Sequence, residues 1–140
     1  MDVSTERNKA IFYAGKIETA DGTITARQMA EGYADQLYKE KGIVKLTLER
    51  TPGGKWMDGL GLYTKDGESG LFRYEELGLT STQADELWRT LSSRYADGTS
   101  GAVTAFAKNV PDWVKPRTVF WSTELPQLRS NPNVTDINIR

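Results

Sequence analysis

Apolar residues recur at helical spacing in two long stretches of the chain. From Thr25 to Lys41, Met29, Ala30, Tyr33 and Leu37 fall three or four residues apart, Thr25 or Ala26 opens the segment and Gly42 stops it, which predicts an amphipathic helix on a core. In the second stretch Thr82 is a plausible N-cap, with Asp85 three residues on. Ala84, Leu87, Trp88, Leu91 and Tyr95 form one stripe there, and Gly98 stands after the last turn. Shorter runs read as extended: Ile43 to Leu48, leading to Glu49, then Ser100 to Ala107, Arg117 to Leu125 and Asn133 to Ile139. The run from Arg117 is the densest in β-branched and aromatic residues and is closed by Pro126. A strand is predicted there, with Glu124 at its end.

The remaining segments are punctuation. Residues 1–9 are polar and read as a lead-in, Ala10 to Gly15 is a short apolar segment, and the glycine-containing stretch from Thr19 to Thr25 reads as a loop. Thr51-Pro52-Gly53-Gly54 is expected to turn, and residues 59–79 to form a loop with short turns and one helical turn. Pro111, Pro116, Pro126 and Pro132 mark further turns. A helical first half followed by strands predicts one α/β or α+β domain over residues 1–140 in two lobes, about 1–80 mainly helical and about 81–140 α/β.

Composition narrows the chemistry. With 18 basic against 19 acidic residues there is no overall field to draw the chain to nucleic acid or an anionic membrane, so neither is an expected partner. No apolar run approaches the roughly 18 residues that span a bilayer, and a soluble domain is expected. The absence of Cys removes disulfides, thiol nucleophiles and thiolate metal sites, and the absence of His removes the commonest general base and metal ligand. Carboxylates, Lys, Arg, Tyr and hydroxyls remain. Phosphodiester cleavage usually wants an acid, a base and a cation. The nicotinamide of an oxidised dinucleotide instead departs as a neutral molecule from a cationic ring, and one carboxylate facing the developing oxocarbenium ion can suffice.

Two carboxylates stand where a ligand could approach: Glu49, before a Gly-Gly turn, and Glu124. The plainer readings are a turn cap for Glu49 and a solvated surface charge for Glu124. Trp88 and Ser92, four residues apart, share a helix face, where a Trp is usually core. With Tyr13, Phe120 and the other tryptophans it also offers flat surfaces for stacking a nicotinamide or adenine ring.

Taken together, these blocks resemble the ADP-ribosyl cyclase/NAD glycohydrolase family. Thr47 to Leu60 resembles the family's Thr-Leu-Glu-x-Thr, Gly, Asp-x-Leu pattern. Leu87 to Ala96 is similar to the helix carrying an active-site Trp and, four residues on, a Ser. Val119 to Glu124 resembles the strand whose aromatic and preceding residue bind phosphate and whose final Glu is catalytic, and Phe12 to Gly15 resembles the segment of a first active-site Trp, with Tyr13 in its place. The blocks run in family order over most of the chain.

The resemblance implies an ADP-ribosyl cyclase-like fold with a helical N-terminal lobe and a C-terminal lobe built on a small, mainly parallel sheet with flanking helices. It implies that Glu124 stabilises the ribosyl cation and that Glu49 contacts the nicotinamide and influences cyclisation against hydrolysis. Trp88 and Tyr13 would flank the ring, Ser92 would meet a phosphate, Val119 and Phe120 would offer backbone donors, and Asp58 would contact substrate. The family's phosphate-binding Arg is replaced by Gly15, with Lys16 as its possible substitute. NAD(P)+ would be substrate, with no cofactor and no metal. The short, Cys-free form implies a bacterial toxin domain from a larger delivered or secreted effector acting in the target-cell cytoplasm, with a cognate immunity protein as partner. The competing readings are a ribonuclease toxin and a non-enzymatic binding or immunity module.

Overall fold

A computed structural model of the chain describes residues 2–20 and 22–140, with backbone alone at 16–19. In chain order the elements are β1 (Ile11–Tyr13), β2 (Lys16–Thr19), β3 (Gly22–Thr25), α1 (Ala26–Lys41), α2 (Pro52–Gly59), α3 (Arg73–Glu76), α4 (Ser81–Asp97), β4 (Gly101–Phe106), α5 (Leu125–Ser130) and β5 (Val134–Ile139). 3₁₀ turns lie at Leu48–Arg50 and Lys115–Arg117, and a π-helical turn at Phe120–Glu124.

β4 is central. It pairs in parallel with β1 on one side and β5 on the other, so the sheet draws one strand from the start of the chain and two from its end. A parallel sheet needs cover on both faces. Neighbouring residues of β1 serve opposite faces, as strand alternation requires. Ile11 packs with Phe106 and with Ala26, Ala30 and Ala34 of α1, while Phe12 joins Leu91, Tyr95, Val103, Phe120, Leu125 and Leu128 on the other side. The α1 helix ends as its sequence predicts, with a capping box between Thr25 and Gln28 and a left-handed Gly42. Its fully buried line is the alanine row, whose small side chains bring the helix close to the sheet, with Met29 and Tyr33 flanking it.

Several expectations are corrected. The run from Arg117 to Leu125 is not a strand: it passes from a 3₁₀ turn into the π turn and α5. Thr118 starts the helical path, its Oγ1 accepting the Trp121 N–H at 3.2 Å and its carbonyl the Ser122 N–H at 3.1 Å. Phe120, Glu124, Leu125 and Leu128 are then buried at helical intervals. Burial of this face outweighs the β-propensity of Val119, Trp121 and Thr123, because that propensity reflects fit to a pleated surface the run does not join.

Thr51 to Gly54 is not a free turn but the start of α2. Thr51 is the N-cap, its Oγ1 accepting the Gly54 N–H at 3.1 Å, and Pro52 occupies the first turn, where its missing N–H costs nothing. Gly54 is there for space: a Cβ would lie 1.7 Å from the Leu48 carbonyl oxygen. The stretch from Thr19 to Thr25 is largely the β2–β3 hairpin rather than a loop. Ile43 to Leu48 makes only one bridge, Ala10 to Leu46. The α4 cap is Thr80, boxed with Gln83, two residues before Thr82. Among the described residues no helix is long and apolar enough to cross a membrane.

Candidate active site

A cavity of about 560 Å³ opens where the ends of β1 and α2, the flank of α4 and the start of the π turn converge. It is lined by Tyr13, Glu49, Asp58, Trp88, Ser92, Val119, Phe120 and Glu124, brought together from five regions of the chain. The side chain of Lys16 lies outside the described residues.

Glu124 reaches the cavity from the π turn, not from a strand end. Only 6% of it is exposed, and its carboxylate receives no hydrogen bond among the described residues. Burial pushes its pKa well above the ordinary carboxylate value, and the nearby charge of Glu49 pushes the same way. Glu49 enters on the 3₁₀ turn at Leu48–Arg50. Burial raises its pKa, opposed by the Tyr13 hydroxyl, which donates to Oε1, and by the charge of Arg27. Its Oε2 is buried with no side-chain or backbone partner among the described residues. The Tyr13 phenol is pushed far up by burial and then by Glu49, so it stays a donor. An unpaired buried carboxylate costs stability, and such groups collect where a ligand completes them.

The rest of the lining sets shape and charge. Trp88 packs against the core with part of its surface on the cavity, and Ser92, one turn on, is 4% exposed. Val119 and Phe120 open a helical path, where first-turn amides have no intrahelical acceptor. Asp58 is at the rim with both carboxylate oxygens accepting from Arg27, at 3.3 and 3.1 Å.

Arg27, Tyr63, Asp85, Arg89, Arg117 and Thr118 also line the cavity and were not singled out from the sequence. Asp85 and Arg89 were within reach, since 85, 88, 89 and 92 share one face of α4. Arg89 donates to Ser122 Oγ at 2.9 Å and Thr123 Oγ1 at 2.8 Å, tying α4 to the π turn beside Glu124. Arg27 and Tyr63 had no such signal, their place being set by packing between distant segments. Among the described residues no group of three or more acidic side chains is gathered as a metal site.

Solved structures with a similar fold carry the decisive comparison. The fold is that of the ADP-ribosyl cyclases. An ADP-ribosyl cyclase complexed with N1-cIDPR matches with a TM-score of 0.57 at 21% identity, over 96% of this chain and 49% of that one. Aplysia cyclase complexed with substrate NGD and product cGDPR matches at 0.56 and 23%, and a glutamate-to-alanine mutant of ADP-ribosyl cyclase at 0.56 and 24%, with the same coverage. The chain thus spans about half the length of these cyclases. No protein-family model and no curated protein matches the sequence. The cyclase-like fold places β1, α4 and the π turn around one cavity, in the order in which the sequence blocks were found.

Proposed function

We propose that the chain cleaves the bond between nicotinamide and ribose in NAD(P)+, releasing nicotinamide and mainly ADP-ribose or its phosphorylated counterpart, with cyclic product in the minority. The observation that carries this reading is Glu124, a buried carboxylate with no hydrogen-bond partner among the described residues, lining a cavity large enough for much of a dinucleotide. The likeness to cyclases solved with dinucleotide ligands supports the substrate class.

In this mechanism the C1′–N bond breaks with its electron pair going to the pyridinium nitrogen, so nicotinamide leaves neutral without an acid. The Glu124 carboxylate opposes the positive charge growing on C1′ and the ring oxygen, and does so more strongly than a surface carboxylate because the residue is buried. Trp88 offers an indole face to the ring, and Glu49 Oε2 offers an acceptor to its amide. Water then adds to C1′ and loses a proton to solvent. The rim is made of exposed polar side chains, the Arg27–Asp58 pair, Tyr63 with Asp85, and Arg117, and this wet edge favours water over the folded-back adenine.

The reading extends to a delivered toxin domain that drains the dinucleotide pool of a target cell, with an immunity protein covering the cavity in the producer. Its motive is the Cys-free composition.

Incubating the purified chain with NAD+ and NADP+ and separating the products by chromatography tests the chemistry. Nicotinamide and ADP-ribose are expected, and Glu124→Gln should lower turnover by roughly two or more orders of magnitude. No nicotinamide from either dinucleotide, or cleavage of RNA instead, would overturn the reading.

A further inference from the structure

The two cavity carboxylates are treated differently by their surroundings. Glu49 accepts the Tyr13 hydroxyl on Oε1 and feels the positive charge of Arg27. Glu124 has no donor among the described residues, and the charge it feels is Glu49 itself. Two buried anions lining one cavity repel, so a proton on one member of the pair relieves both burial and repulsion. Where that proton sits is decided by whichever neighbour stabilises one anion more than the other.

The groups facing Glu49 come from every wall. Tyr13 stands on β1, Arg27 on α1, Asp58 on α2, Tyr95 on α4 and Glu124 on the π turn. The Tyr95 hydroxyl is turned to the backbone of Ile11 and Leu46. Arg27 is held by Glu31 and Asp58, with Nε 2.6 Å from Glu31, so much of its charge is already answered. Asp58 opposes the Glu49 anion. Among the described residues Tyr13 is the side chain that donates a hydrogen bond to Glu49, alongside the backbone N–H of Glu49 itself, and its high pKa keeps the proton on the phenol oxygen.

We propose that Tyr13 is a positioning residue that keeps Glu49 ionised and leaves the proton of the empty site on Glu124. The inference rests on the dinucleotide-cleaving reading of the same cavity and gives it a specificity rule. A cationic pyridinium ring arriving beside Glu124 favours its anion: the carboxyl O–H bond breaks, the proton passes to water at the cavity mouth, and the carboxylate pairs with the ring charge. A neutral ring gives no such exchange. The site therefore discriminates the oxidised dinucleotide from the reduced one by charge. Tyr13 serves this through its hydroxyl, a duty separate from ring stacking.

The test starts without any dinucleotide. Glutamate side chains labelled with ¹³C at the carboxyl carbon are titrated by NMR, with Glu49→Gln and Glu124→Gln assigning the two signals. At neutral pH Glu49 should read as carboxylate and Glu124 as carboxylic acid. Tyr13→Phe, which keeps the ring, should move the Glu49 midpoint to higher pH and let the proton spread onto Glu49. Glu49 titrating above Glu124 in the unaltered protein overturns the proposal, even if Tyr13→Phe fails to fold. So does a Glu49 midpoint unmoved by Tyr13→Phe. Calorimetry in two buffers of different ionisation heat, with 1-methylnicotinamide as the cation and nicotinamide as the neutral probe, should show proton release for the cation only. Equal release for both overturns the specificity rule. Failure to cleave NAD+ would instead remove the functional reading and leave these titrations to stand by themselves.

Discussion

The hydroxyl of Tyr95 is hydrogen-bonded to both backbone groups of Ile11, accepting its N–H at 3.1 Å and lying 2.9 Å from its carbonyl oxygen, across 84 residues of chain. The same oxygen lies 2.5 Å from the Leu46 carbonyl. One fully buried side chain on α4 thereby locks the strand carrying Tyr13 and the segment leading to Glu49 against the helix carrying Trp88 and Ser92. Tyr95→Phe keeps the ring packed on Phe12 but removes the hydroxyl's bonds to this backbone, leaving Ile11 N–H and Leu46 C=O to each other alone. It is expected to lower stability by about 1–2 kcal/mol, read as a lower denaturation midpoint at unchanged slope. An unchanged midpoint would mean that the Ile11–Leu46 backbone bond holds the strand unaided.

Glu124→Gln should move activity and stability in opposite directions. Glu124 binds its proton more tightly folded than unfolded, so its contribution to stability is complete below the ordinary carboxylate range and is lost as pH rises toward and through the raised folded value. Gln has no such loss. The variant should therefore gain in melting temperature over the unaltered protein as pH rises from about 4 to 7, while nicotinamide release collapses. Parallel melting curves across that range would show that Glu124 is not held in a charge-averse place.

Trp88 divides its surface between core and cavity. Trp88→Phe keeps most of the apolar volume and should cost only a few degrees of melting temperature, while kcat/KM falls by about twofold to tenfold, up to the worth of an aromatic stacking contact of ~0.5–1.4 kcal/mol. A large loss of stability with kinetics intact would return Trp88 to a purely structural role.

Gly54 and Gly32 make a matched pair. A methyl group at Gly54 collides with the Leu48 carbonyl, whereas at Gly32, inside α1, it meets nothing within 4 Å. Gly54→Ala is expected to cost more than about 2 kcal/mol and to disturb Glu49 beside it. Gly32→Ala should stabilise by up to about 1 kcal/mol through better helix propensity. Equal effects of the two substitutions in thermal unfolding would contradict the close packing of α2 on the turn before it.

Much of this protein is written locally. The periodicity of Met29 to Leu37 with Thr25 and Gly42, the stripe from Ala84 to Tyr95 and the runs ending in Ala107 and Ile139 mark elements the structure contains, because caps and apolar spacing act within a few residues. The order of the blocks around Tyr13, Glu49, Trp88 and Glu124 carried the cyclase-like fold as well. Tertiary structure decided what those blocks could not. The β-rich residues from Val119 to Thr123 fold as a helical turn because Phe120, Leu125 and Leu128 reach the core only that way, so Glu124 comes off a π turn instead of a strand. Gly53 and Gly54 read as a turn until the approach of Leu48 shows them inside a helix. Arg27 and Tyr63 join the cavity by packing between segments with no shared spacing. The unequal settings of Glu49 and Glu124 also exist only in three dimensions, since burial and a hydroxyl 36 residues away create them and neither leaves a mark in sequence.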